Sequence, residues 1–193
     1  MATEPFRVVC ADCPWPFKDK LPGASRGAAK NYDLMTMADL FAVANWDDRV
    51  LHLMGQPIAT DAVLFLWRVA SMQQEALDVV RAWAFKPVDS EIVWLKKTVN
   101  GERWFGMGRT VRAEHEICLI AHRQSRAVRS RSVRSTFVTE ESFEGLSAIN
   151  YRHSQKPEMF YDIIEQLYEG PYLELFARRQ RPGWTCLGLE SGA

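Results

Sequence analysis

The residues best suited to chemistry stand where an apolar run stops. Val8-Val9-Cys10-Ala11 reads as a buried strand, and it is followed directly by Asp12, Cys13, Pro14 and Trp15. In open α/β sheets ligands bind at the carboxyl ends of strands. An acid and a large π-surface stiffened there by a proline would suit a flat, hydrogen-bonding molecule such as a nucleobase. The same four residues also describe a solvated turn leading to a core tryptophan, so the pattern by itself leaves both readings open.

Two other groups of residues invite chemistry. Cys10 and Cys13 form a Cys-x-x-Cys pair, the spacing of redox and zinc sites. Tetrahedral zinc needs two further ligands, and Cys118 and Cys186 lie singly and far along the chain, so no metal is expected. A reduced cytoplasmic protein, with Cys10 packed as a small hydrophobe, is the simpler expectation. The second group is Arg123, Arg126, Arg129, Arg131 and Arg134, set among serines with no acid between Ile117 and Thr139. Arginine with serine contacts phosphate well, although such a segment also serves as a solvated loop.

Composition gives these local features their weight. The 24 basic and 24 acidic residues cancel, so no global field draws in a polyanion and any nucleic-acid surface must be local. With 193 residues, 47% of them hydrophobic, the chain suits one well-buried domain spanning residues 1–193. No leader-like N-terminus or long apolar span marks it for secretion or a membrane.

The elements that must position these residues follow from periodicity. Thr36 is placed to cap a helix over 37–44, and Ala62 to Trp67 form a continuous apolar run expected of a strand covered on both faces. Ser71 then caps a helix with a stripe of Ala76, Leu77, Val80 and Trp83 or Ala84, and Glu91 to Leu95 make the next strand. This strand-helix-strand unit predicts parallel strands with a right-handed crossover. Glu116 to Ala121 read as a further strand. Residues 157–168 form a helix with Phe160, Ile163, Ile164 and Leu167 on its apolar face, and Tyr172 to Ala177 form a last strand. Residues 18–33 and 100–108 are loop-like, the first long enough to act as a lid beside Asp12.

Beyond these patterns, Asp12-Cys13-Pro14-Trp15 resembles the Asp-Pro-Pro-Trp signature of methyltransferases that act on exocyclic amines. In order along the chain come Tyr32 to Thr36, Leu64 to Trp67, Glu91 to Lys96, His115 to Leu119, His153 to Pro157, Glu174 to Arg178 and Pro182 to Trp184. The set is similar to the adenine-N6 methyltransferase family that contains the catalytic subunit of the eukaryotic messenger-RNA methyltransferase and short bacterial and phage enzymes. The resemblance covers residues 8 to about 188.

It implies a Rossmann-like S-adenosylmethionine-dependent methyltransferase fold: an α/β protein with a mostly parallel sheet, helices on both faces, and a permuted order with the catalytic motif first and the cofactor-loop half last. It implies S-adenosylmethionine as cofactor and nucleic acid as substrate, DNA before RNA, with homodimer and heterodimer both open. By the same resemblance Asp12, Cys13, Pro14 and Trp15 are catalytic. The Asp12 carboxylate and the Cys13 carbonyl accept the amino hydrogens, and Trp15 stacks on the base. Tyr32, Glu116, Ser154 and Lys156 lie at the substrate; for a nucleic-acid substrate the five arginines, the one concentrated basic segment of a neutral chain, are expected to hold its backbone. Asp12, Lys156, Glu174, Phe176, Arg178 and Glu190 lie at the cofactor. Cys13 stands where the family has proline, keeping the carbonyl but adding an N–H. Gly188-Leu189-Glu190 replaces a Gly-Asn-Gln. A catalytically silent, nucleic-acid-binding subunit is the competing expectation.

Overall fold

The computed structural model describes residues 4–16, 34–98, 100–103, 110–141 and 156–188. Its centre is a sheet in the order β7-β5-β6-β4-β1-β8-β9. These strands are β1 (Phe6–Ala11), β4 (Gln56–Arg68), β5 (Lys86–Thr98), β6 (His115–His122), β7 (Thr136–Glu141), β8 (Tyr172–Leu175) and β9 (Trp184–Leu187). A hairpin of β2 (Ala44–Asp47) and β3 (Val50–Leu53) joins the sheet through β3 against β4. β1 pairs in parallel with β4 and β8, β8 with β9, and β5 with β7. β6 runs against both β4 and β5. β1, β2, β4, β5, β7, β8 and β9 therefore point one way, and β3 and β6 the other.

Alternation along β1 explains the layers, because successive side chains leave a strand on opposite faces. Val9 and Ala11 pack with Leu64 and Leu66 against α1 (Met37–Ala42) and α2 (Gln73–Ala82), through Leu40, Ala76, Val79, Val80 and Trp83. Val8 and Cys10 pack with Val63, Phe65 and Trp67 against α3 (Glu158–Leu167), through Phe160, Tyr161 and Ile164. Helices thus cover both faces, as expected of this fold class. Cys10 and Cys13 fall into these two opposite packing groups and all four cysteines are free and buried.

Several local expectations need correction. β4 and β5 point the same way, but they are not neighbours, because β6 is inserted between them. The capping box at Thr36 is present, with its hydroxyl accepting from the Asp39 N–H. Ser71 makes no cap: it lies inside a 3-10 turn, Ala70–Met72, that feeds α2. Val79 is fully buried in α2 while Leu77 is only partly so, because the helix begins at Gln73 and its buried stripe is rotated accordingly. Among the described residues no helix is long and apolar enough to cross a membrane.

The arginine segment sits where β6 ends. Since β6 runs against β4 and β5, its last residue His122 pairs with Val63 midway along β4 and with Lys86 at the start of β5, so the chain leaves β6 away from the strand ends that carry Asp12. There the β1–β4 ladder is irregular, jumping from Phe6↔Ile58 to Val8↔Val63. Arg123 supplies the missing donors: its guanidinium gives hydrogen bonds to the carbonyls of Ile58 (3.1 Å) and Ala59 (3.0 Å), and its N–H donates to Ala62 (3.0 Å). Arg126 donates to the carbonyls of Arg7 and Glu169, and Arg129 to that of Glu165. Arg131 and Arg134 are exposed. Arg123→Ala should cost about 1–3 kcal/mol by orphaning the bulge carbonyls. Denaturant titration should register that loss, while the salt dependence of nucleic-acid binding stays at its wild-type value.

Candidate functional site

The edge formed by the C-terminal ends of β1, β4, β5 and β8 carries the charged cluster. Asp12 follows β1 directly, and the alternation that puts Cys10 on the α3 face puts Asp12 there too. Across the sheet, Glu116 stands opposite Trp94, and Cys118 opposite Trp67. Lys156, just before α3, reaches into this row. Its Nζ lies 2.9 Å from Asp12 Oδ2, 3.1 Å from Glu116 Oε2 and 5.0 Å from the centre of the Trp67 ring. Lys96 closes the row at 2.7 Å from Glu116 Oε1, 4.3 Å above the Trp94 ring. The order is carboxylate, ammonium, carboxylate, ammonium.

Electrostatics follow from that alternation. Burial works against charge on Lys156, whose side chain is 4% exposed, yet Asp12 and Glu116 more than offset it and hold its ammonium above the ordinary lysine value. Burial likewise pushes the Glu116 carboxyl up, but Lys156 and Lys96 outweigh it and bring it down to about 2. The ammonium of Lys156 is the deeply buried member of the row and depends on the two carboxylates for its charge. Both oxygens of Glu116 are thereby held by the protein, and Asp12 is held through Oδ2.

Beside this row lies a cleft lined by Asp12, Lys156, Tyr161, Glu174, Phe176, Arg178 and Arg179. Its accessible interior is about 10 Å³, room for about one water, so a larger ligand must part these side chains. Glu174 is buried, with Oε1 accepting from the Tyr161 hydroxyl at 2.6 Å and Oε2 from the Cys186 thiol at 3.8 Å. Burial raises its carboxyl, against the pull of Tyr161 and Arg181. Phe176 has φ +61°, an uncommon backbone for a bulky residue that costs of order 1–3 kcal/mol and tends to persist at functional sites. Gly188 lets β9 close on it: a Cβ at Gly188 would come within 2.2 Å of the Ala177 carbonyl oxygen and 2.9 Å of the Phe176 carbonyl carbon. The acids, arginines and aromatic here match what a cationic, ribose-bearing amino-acid nucleoside would require.

Of the residues expected from sequence, Asp12, Glu116 and Lys156 meet directly, and Asp12, Lys156, Glu174, Phe176 and Arg178 share one cleft. The Cys13 carbonyl accepts the Trp15 N–H at 2.9 Å, and the Pro14 carbonyl accepts from Met35 at 3.0 Å, which fixes the turn. Trp15 differs from expectation. Its ring lies in the core beside α2, 3% exposed, with Nε1 donating to the Trp67 carbonyl at 3.0 Å. An indole whose polar end finds a buried acceptor gains more by packing than by facing solvent, so in this arrangement Trp15 braces the turn and offers no open stacking face. The five arginines are not brought to this edge, for the topological reason given above. Tyr32, Ser154 and Glu190 lie outside the described residues, as do the loop 18–33, Trp104 and Phe105. Sequence reasoning left out Lys96, Tyr161 and Arg179. Lys96 ends one of the matched motif stretches, and Tyr161 adjoins Phe160 on the helix before the last strands, with no spacing that singles it out.

Together the layered sheet and this charged edge define a methyltransferase of the Rossmann-like α/β class. More particularly, the chain belongs to the MT-A70 family, whose sequence profile matches residues 6–190. It is 24% identical, over 96% of its length and 77% of the other protein, to the type II methyltransferase M.MunI of Mycoplasma sp. It is 27% identical, over 96% of its length, to the N6-methyladenosine RNA methyltransferase MTA1 of Cryphonectria parasitica, of which it spans 51%.

A pH dependence follows from Glu116. Its folded value lies below the ordinary 4.5, so its ionisation stabilises the fold above about 4.5 and that contribution is lost as pH falls toward about 2. Lys156→Met should flatten or invert this part of the curve, because burial then dominates the carboxyl. Chemical denaturation at a series of acidic pH values checks this, and an unchanged profile in the variant would contradict the pairing.

Proposed function

We propose that the protein transfers a methyl group from S-adenosylmethionine to the N6 amine of adenine in nucleic acid, with DNA as the polymer. The observation that carries this reading is the Asp12 side chain held by Lys156 at 2.9 Å at the strand end, beside a cleft of the right chemical character. DNA is favoured because the chain spans 77% of the type II methyltransferase and 51% of the RNA methyltransferase.

S-adenosylmethionine, when bound, supplies an electrophilic methyl group on a sulfonium. Asp12, Lys156, Glu174, Phe176 and Arg178 are the residues that would hold it, with Glu190 as a further candidate from the sequence. An adenine amine is a weak nucleophile because its lone pair is delocalised into the ring, so orientation and electrostatics must supply most of the rate. Asp12 accepts one amino hydrogen, which aims the nitrogen and leaves a base ready for the proton the amine sheds. The Cys13 carbonyl keeps a second lone pair beyond the one used by Trp15, enough for the other hydrogen. In a duplex the base must first leave the stack, a cost of a few kcal/mol.

The polymer requires cations on the same edge as Asp12. The connection from β5 to β6 lies there, and it carries Arg103, with its side chain 82% exposed, together with Arg112. We assign substrate contact to this connection in place of Arg123, Arg126 and Arg129. Replacing Arg103 and Arg112 by serine should lower the slope of log affinity against log salt by up to about 2 for duplex DNA. An unchanged slope would remove them.

Nucleoside mass spectrometry after incubation with cofactor and either DNA or RNA tests the activity itself. N6-methyladenine from DNA is the expected product. Methylation of RNA alone would reassign the polymer, and no product from either would favour the silent binding subunit. Asp12→Asn keeps an acceptor for Lys156 but not the charge, and should lower turnover by at least about a hundredfold with the fold intact. A folded Asp12→Asn with wild-type turnover would overturn the assignment.

A further inference from the structure

Lys96 is bound more tightly into the charged row than a strand-end lysine needs to be. Its side chain is 11% exposed, its Nζ is 2.7 Å from Glu116 Oε1, and it lies over the face of Trp94 at 4.3 Å. Trp94 is itself fixed in place, with its indole N–H donating to the Thr139 hydroxyl of β7 at 2.6 Å. Glu116 divides its two oxygens between Lys96 on one side and Lys156 on the other, and Lys156 is shared in turn with Asp12. The geometry thus makes the position of the Lys156 ammonium a compromise between two carboxylates, one of which already has a cation of its own.

We propose that Lys96 is a positioning residue for methyl transfer: by occupying one oxygen of Glu116 it keeps Lys156 shared between Glu116 and Asp12, and so sets the direction of the Asp12 carboxylate. The inference rests on the methyltransferase reading and deepens it. Without Lys96, the whole charge of Glu116 would act on the Lys156 ammonium, which already lies 3.1 Å from Glu116 Oε2, draw it further to that side, and weaken the contact that orients Asp12. The effect would travel from β5 through β6 to the end of β1, with Lys96 touching neither base nor cofactor. Among the described residues, the charged groups facing Glu116 include Lys96 from β5, Lys156 ahead of α3, and Asp12 beyond Lys156. Just before that strand, Glu114 is turned to Arg103, and His115 at its start is exposed.

The test compares wild type with Lys96→Met and Lys96→Arg. Two quantities are read: turnover with its pH profile, and the titration of the Glu116 carboxyl by carbon NMR, assigned with Glu116→Gln. For Lys96→Met, turnover should fall about ten- to a hundredfold, as for a small misplacement of a reacting group, with KM little changed. The Glu116 midpoint should rise from about 2, so that the variant acquires an acid limb that wild type lacks. Lys96→Arg should restore most of both. Lys96→Gln carries the same expectation as Lys96→Met and serves where the methionine variant does not fold. Wild-type turnover in a folded Lys96→Met or Lys96→Gln, or a Glu116 midpoint that does not move, overturns the proposal. If wild type methylates neither polymer, the functional reading fails on that result, and the Glu116 titration still decides whether Lys96 governs the row.

Discussion

An ammonium taken out of water must find its compensation within reach, and Lys156 finds it in Asp12 at 2.9 Å and Glu116 at 3.1 Å. The two carboxylates come from strands that are not neighbours, β1 and β6, and the lysine comes from the start of α3. One buried charge therefore ties three distant parts of the chain to a single point. Desolvation alone would make such an arrangement unfavourable, so it persists only because both oxygens and the Trp67 face share the charge. The consequence is a carboxylate at the strand end that is held by the protein before any ligand arrives.

Topology decides which residues can take part. Because β6 runs against β4 and β5, its first residues face the edge that carries Asp12 and its last residues face the opposite edge. Glu116 is therefore at the site and Arg123 is far from it, although seven positions separate them in sequence. The arginines at the far edge repair an irregular ladder and tie the β6–β7 connection to the end of α3. On the site edge, the last two strands complete the cleft, where Gly188 allows a close approach and Phe176 accepts an unfavourable backbone.

Much of this was legible in the residues. The apolar runs at 62–67 and 91–95, the acid after the first strand and the amphipathic helix before the last strands all correspond to elements found. Harder to read was the β2–β3 hairpin, whose turn uses Asp48 and Arg49 at positive φ with no glycine to announce it. β7 and β9 are short and carry mixed polar residues, so periodicity gave them no signal. The location of the arginine segment was not legible, because charge in a sequence does not say which end of a strand it follows. For Trp15 the sequence left two readings, a site motif and a core anchor, and its burial with Nε1 donating to the Trp67 carbonyl became visible only in the structure.

The central claim is that Asp12, held by Lys156, receives the adenine amine. A crystal structure of the protein with a bisubstrate analogue, in which the N6 nitrogen of adenosine is joined to the cofactor skeleton, tests it most directly. The account predicts N6 within hydrogen-bond reach of the Asp12 carboxylate, about 3 Å, with Lys156 still on the other oxygen or on Glu116. An adenine seated elsewhere, with Asp12 still closed upon Lys156 and out of reach of N6, would contradict it.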